Sequence, residues 1–188
     1  MSKVVITVLG QDRPGLVAEV SAVLAEHGFN IEDVSQTLAQ SQFAGIFIAS
    51  VPAGEDAEAA SRRLDARFAV LFAGQPIHVW RYPLENGQAP AVDRSASEPF
   101  VITSQGPDRA GLIAGLAGVL AAHGTNIVNL KAAFQGDDRA RVRMIFETDV
   151  PASVDRRAFR DALYAKAREL GHELSLQHRN IFEIIHHV

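Results

Sequence analysis

The chain has 188 residues, 47% of them hydrophobic and 21% charged, with a formal net charge of −4 and no cysteine. That composition suits a soluble globular protein with a proper core, arranged as one large domain or two small ones. It excludes disulfides, thiolate metal sites, thiol nucleophiles and a global basic field that would hold nucleic acid or an anionic membrane. The apolar run before Gly10 is too short for a secretory signal, and no stretch approaches the roughly 18 apolar residues of a membrane span. A cytoplasmic protein is expected.

Val4, Ile6 and Val8, with Val5 and Leu9 between them, predict a short buried strand. The cluster GQDRPGL (10–16) then opens a predicted helix. Pro14 suits a first turn, where a missing N–H costs nothing, with Asp12 or Arg13 at or near the cap. Leu16, Val20, Val23 and Leu24 share one face at helical spacing, and Gly28 is the expected left-handed residue that stops the helix. Extended stretches around 30–40 and 43–52 flank a turn at Gln40-Ser41-Gln42. A second helix over 55–72 carries Ala57, Ala60, Leu64 and Phe68 on one side, and 75–82 closes the half as a strand.

The chain then repeats itself. Thr7 matches Thr103, an offset of 96 that also aligns Gly10 with Gly106, Asp12 with Asp108, Arg13 with Arg109, Gly15 with Gly111, His27 with His123 and Asn30 with Asn126. From residue 4 onward, 16 of 28 positions are identical at that offset. A period of this size is a whole small domain. Strand 100–105, helix 111–124, a hairpin turning at Gly136-Asp137-Asp138, a helix capped by Ser153 and a last strand over 172–179 follow in the same order. That last helix has Phe159, Leu163, Lys166 or Ala167, and Leu170 on its inner face. Residues 83–99 are rich in Pro, Ala, Ser and charge and read as a linker. The expected organisation is a first domain over 1–82, a linker over 83–98, and a second domain over 99–188 with a short C-terminal extension. The fold class is α+β, two tandem ferredoxin-like βαββαβ domains, each an antiparallel sheet with helices on one face. Many functions share that fold.

The strand ending near Gly10, the D-R-P-G-L sequence, the helix ending in H-G and the N-I opening the next strand together resemble the ACT domain, a small regulatory module that binds amino acids and similar metabolites. The resemblance covers nearly the whole of each half. The tandem layout is similar to the glycine cleavage system transcriptional repressor group, and the first half and the ending 174–188 resemble stand-alone single-ACT proteins. The resemblance implies that domains pair side by side, with ligand between the first strand–helix loop of one and a strand of its neighbour. It nominates Gly10, Gln11, Asp12, Arg13, Pro14, Gly15, Leu16, Asn30 and Ile31 in the first half, and Gly106, Asp108, Arg109, Ala110, Gly111, Leu112, Asn126 and Ile127 in the second. It implies a regulator without catalytic residue, metal or cofactor. The expected partners are an amino-acid ligand, a second copy in a homodimer and a protein through which regulation acts, with no direct contact to nucleic acid or membrane. Ala110 stands where Pro14 does, and Pro107 replaces Gln11 and removes an N–H donor. Ligand is therefore expected at the first loop before the second.

Elementary chemistry agrees with a zwitterion site. A helix N-terminus offers orphan N–H groups and a positive dipole end to a carboxylate. Gly10 permits a tight turn, Gly15 permits close approach of a ligand or backbone, and Asn30 offers both an amide N–H and a carbonyl. A purely structural reading stands beside it. Asp12 as a cap contributes ~1 kcal/mol, Gly10 and Gly15 serve turn geometry, Arg13 is a solvated charge, and Asn30 and Asn126 are turn residues. His27 and His123 end their helices and read as partners of the dipole. His178, His186 and His187 lack a carboxylate or thiolate partner at metal-binding spacing. Asn180 and Glu183 have capping-box spacing, so Ile181, Phe182, Ile184 and Ile185 are expected on a short helix that packs on a neighbour. The third strands lack the stacking aromatics of an RNA-recognition module, and Arg139, Arg141 and Arg143, with Lys131, read as a solvated face. Phe43, Phe47, Trp80 and Phe134 are expected to leave an apolar sheet face for dimerisation. The alternative to a ligand sensor is a ligand-independent protein–protein interaction module.

Overall fold

Each half forms its own βαββαβ unit in the computed structural model, which describes residues 2–84, 96–136, 140–180 and 182. The first unit runs β1 (Lys3–Gln11), α1 (Leu16–Glu26), β2 (Asn30–Ala39), β3 (Gln42–Ser50), α2 (Ala57–Leu71) and β4 (Ile77–Leu84). The second runs β5 (Ser97–Pro107), α3 (Leu112–Ala122), β6 (Asn126–Gln135), β7 (Arg141–Pro151), α4 (Arg156–Glu169) and β8 (Glu173–His178). β4 and β5 both reach into the stretch expected as linker.

The sheets are antiparallel, in the orders β2-β3-β1-β4 and β6-β7-β5-β8. β1 lies in the centre of its sheet with apolar residues buried on both faces, Val4, Ile6 and Val8 on one and Val5 on the other. Alternation then decides which residues meet the helices. Val4, Ile6 and Val8 lie opposite Ala49, Phe47 and Gly45 of β3. They share one core with Leu16, Val20, Val23 and Leu24 of α1 and Ala60, Leu64 and Phe68 of α2. The second core gathers Ile102, Leu116, Leu120, Met144, Phe146, Phe159 and Leu163. Burying a side chain such as Phe47 or Phe146 stabilises its unit by roughly 1.5–3 kcal/mol.

This register corrects the expected dimerisation face. Phe43 and Phe47 pair with Gly10 and Ile6, so they point at the helices and are 2% and 0% exposed. The exposed apolar residues of the helix-free face are Leu9, Ile46, Trp80 and Tyr82, which alternate the other way along their strands. Phe134 is exposed, but it pairs with buried Val142 and so lies on the helix side of edge strand β6.

The helix ends also differ from expectation at their starts. Gly28, Gly124 and Gly171 have φ of 75°, 63° and 71° and stop their helices. In each case the residue after the glycine donates back into the last turn: Phe29 to Leu24, Thr125 to Leu120, and His172 to Ala167. His27 and His123 are C-caps whose Nδ1 atoms bond the carbonyls of Val23 and Val119 at 2.9 Å, a structural use of both rings. Ser153 does not cap α4. Asp155 does, accepting from the N–H groups of Arg157 and Ala158, because the helix starts two residues later than Ser153 would allow. The tail helix over Ile181 to Ile185 and the Gly136-Asp137-Asp138 turn fall largely outside the described residues.

Candidate ligand-binding loops

The two loops that carry D-R-x-G begin helices of an unusual kind. α2 and α4 are capped by the side chains of Asp56 and Asp155. α1 and α3 have no side-chain cap; their N-caps are Gly15 and Gly111, at φ of 89° and 90°. Asp12 and Asp108 therefore do not cap, and Pro14 sits before the helix rather than in its first turn. The Asp12 N–H donates to Ser41 and that of Asp108 to Ala140, which tethers each loop to the tip of the adjacent hairpin. The Leu16 N–H donates to the Arg13 carbonyl at 3.4 Å, and the remaining first-turn N–H groups of α1, with those of α3, have no side-chain cap and are left for water or a ligand.

The glycines have different reasons from those the sequence suggested. Gly15 and Gly111 are needed for their positive φ, since the space beside them is open. Gly10 is strand, not turn. A Cβ there would collide with the Pro76 carbonyl oxygen, and at Gly106 it would collide with the His172 ring. The Gln11 N–H donates to the Pro76 carbonyl at 3.3 Å, so it is not a donor kept for ligand. Leu16 and Leu112 are core residues, and Ile31 and Ile127 pack against the cores.

Asn30 and Asn126 stand apart from the loops of their own units. Asn30 pairs with Ser50, level with Lys3, whereas Gly10 pairs with Phe43 at the other end of the sheet. At ~3.3 Å per residue the ends of β1 are roughly 26 Å apart. Asn126 holds the corresponding place opposite Asp149 in β6. A single unit does not bring loop and asparagine together.

The arginines of the two loops are held differently. Arg13 is bidentate to Glu19, at 2.7 and 2.6 Å, and also donates to Gln75 Oε1 at 3.0 Å. That charge-assisted pair raises the pKa of Arg13 and holds the Glu19 carboxyl below its ordinary value. Arg109 instead donates to the backbone carbonyl of Glu169 at 2.9 Å, at the C-terminal end of α4. Beneath the second loop lies a polar pair that sequence reading missed. Buried His172 bonds Ser104 Oγ through Nδ1 at 2.9 Å and the Pro107 carbonyl through Nε2 at 3.0 Å. The Nε2 atom must donate to that carbonyl, so in the neutral ring Nδ1 accepts from the serine hydroxyl. Nothing in the repeat flags the pair, because Val8 and Ile77 are its counterparts.

A family model described as ACT domain matches residues 2–69 and 98–177. The chain belongs to the ACT domain family. This is a regulatory, ligand-binding domain family whose members generally bind amino acids and often dimerise. A UPF0237 protein of Pyrobaculum aerophilum is 38% identical over 86 residues, 44% of this chain and 96% of that protein. A UPF0237 protein of Methanopyrus kandleri is 54% identical over 48 residues, 26% of this chain and 53% of the relative, so that match spans about half of the relative's length. Among solved structures, a protein of unknown function from Galdieria sulphuraria superposes with a TM-score of 0.73 at 22% identity, covering 94% of this chain and 98% of that one. A putative glycine cleavage system transcriptional repressor superposes with a TM-score of 0.65 at 16% identity, covering 94% and 96%. Both likenesses show the fold.

Among the described residues, no group of three or more His, Asp or Glu side chains is placed to hold a metal ion. None of the described helices is long and apolar enough to cross a membrane. Arg143 donates to Gln105 Oε1 at 3.1 Å, which spends one cation of the expected basic face inside its own sheet.

Proposed function

We propose that this tandem ACT protein is a non-catalytic cytoplasmic regulator that binds an amino acid or a similar small metabolite and acts through a protein partner. The observation that carries the proposal is the pair of uncapped helix starts, each behind a D-R-x-G loop, on a family fold that binds amino acids. Sheet order supports a composite site. β2 and β6 are edge strands, and Asn30 and Asn126 lie at the ends of those edges remote from their own loops. If an ACT unit pairs with a partner unit through such edges, about a two-fold axis, the strands run antiparallel. The asparagine end of one edge then lies beside the loop end of the other. Loop N–H groups would take the ligand carboxylate, and the asparagine of the partner unit would take its ammonium group.

A thermal-shift screen of the proteinogenic amino acids tests the reading. Ligand at 100 times its Kd stabilises the folded chain by about 2.7 kcal/mol. The combined Asn30→Ala and Asn126→Ala variant is expected to lose that shift while keeping its midpoint without ligand. A screen in which no amino acid moves the transition sinks the proposal. The exposed Leu9, Ile46, Trp80 and Tyr82 favour the second reading, a ligand-independent interaction module. Its signature is a silent screen together with self-association that Trp80→Ala weakens in sedimentation experiments.

A further inference from the structure

The two loops differ in the feature that decides whether they can hold an anion: what neutralises the arginine. In the first unit the Arg13 guanidinium is neutralised by both Glu19 oxygens and also donates to Gln75 Oε1. In the second unit the position of Glu19 is Gly115, where even a Cβ would lie 3.1 Å from Leu170 Cδ1. The register of Gly10 on Ile77 matches that of Gly106 beside His172, so the position of Gln75 is taken by Leu170. All three side-chain oxygens that hold Arg13 are thus missing around Arg109. Among the described residues Arg109 has no carboxylate partner, and its one bond goes to a neutral carbonyl.

Beside Arg109 lies a groove of about 270 Å³. Its floor is Leu112, Val142 and Met144, all buried, and its rim is Ile113, Ala132 and Phe134, with Ile113 and Phe134 44% and 47% exposed. Asp108 stands at its mouth with Arg109. In the first unit the loop borders a cavity of about 270 Å³ on its β4 side, lined by Gln11, Asp12, Arg13, Gln75, Pro76 and Ile77, but the place that matches the groove beside Arg109 is narrower. Phe43 takes the place of Val142, and its ring lies over Gly45, 2.7 Å from where a Cβ would be. Gln36 takes the place of Ala132.

We infer that the second loop is the ligand site and that its ligand is an amino acid with a large apolar side chain. This rests on the amino-acid reading above and reverses the order of preference that the loop sequences suggested. Arg109 and the open N–H groups of α3 take the carboxylate, the groove between α3 and β6 takes the side chain, and the ammonium group is left to the asparagine of the partner unit. Glycine or aspartate would leave the apolar groove wet or bury a second charge in it.

Isothermal titration of the full chain with L-leucine, L-phenylalanine, glycine and L-aspartate tests this. Leucine or phenylalanine is expected to bind. Arg109→Gln is expected to weaken that binding by about tenfold or more, the weight of one charge-assisted bond. Arg157→Gln, an exposed arginine at the opposite end of α4, is the charge-matched control and is expected to bind as the parent does. Ala132→Gln is expected to weaken binding of the apolar amino acids by narrowing the groove, with the thermal midpoint of the ligand-free variant confirming its fold. Binding that survives Arg109→Gln and falls with Arg13→Gln overturns the inference and leaves the amino-acid reading standing. So does a preference for glycine or aspartate. Absence of binding by any amino acid overturns both.

Discussion

At the scale of single residues, the repeat is a natural control experiment. Arg13 and Arg109 occupy matching places 96 positions apart, yet one is locked by a carboxylate and the other faces a groove. The difference begins with Glu19 against Gly115, where a Cβ would lie 3.1 Å from Leu170 Cδ1. The Arg13–Glu19 pair also has a pH signature. Arg13 holds the Glu19 carboxyl below its ordinary value. The ionised form is therefore favoured in the folded state, and the pair contributes stability above the ordinary glutamate value, about 4.3. That contribution is lost as pH falls through the lowered value of the folded state. Thermal melts should show Glu19→Gln less stable than the parent at neutral pH, with the gap closing in acid below about pH 4. A gap that stays constant down to pH 2 would show that the pair does not couple to folding. Both groups are partly exposed and open to solvent screening, so the effect is small at any pH.

At the scale of elements, helix starts separate scaffold from site. α2 and α4 finish their first turns with aspartate caps, whereas α1 and α3 begin at left-handed glycines with no side-chain cap. Asp155→Ala should destabilise the chain by about 1 kcal/mol, the cost of two N–H groups losing their acceptor. Ser153→Ala should stay within about 0.5 kcal/mol of the parent, as befits a residue outside the cap. Urea denaturation of the two variants checks both values, and equal losses would return the cap to Ser153. The sequence misplaced this cap because Ser153 and Asp155 are both strong N-cap types two residues apart. Only the observed start of the helix chooses between them.

At the scale of the whole molecule, two cores are built from the same pattern and share no residue. Phe47 and Phe146 hold matching places, each fully buried on the helix side of the third strand of its unit. Phe47→Ala should cost about 3–5 kcal/mol. In native-state hydrogen exchange the loss should appear in β1 to β4, with β5 to β8 keeping their protection. Phe146→Ala should do the reverse. Protection lost equally across all eight strands in either variant would show that the units unfold as one.

The sequence by itself determined the tandem βαββαβ order, the inward faces of the helices and the glycines that stop them. Those features follow from apolar periodicity and from φ preferences, which are local and occur twice in this chain. It also located the D-R-x-G loops, because an exposed cluster repeated at a fixed offset stands out against variable surface. Only the tertiary structure decided what each residue in the cluster does. The glycine at 10 is set by Pro76, more than sixty positions away, and the arginine at 13, ion-paired to nearby Glu19, is also tied to distant Gln75. The asparagine at 30 is placed by strand register, which carries it to the far end of the sheet. Long-range pairing fixes what crowds Gly10 and Gly106 and where the asparagines stand, and periodicity along one segment contains no information about that.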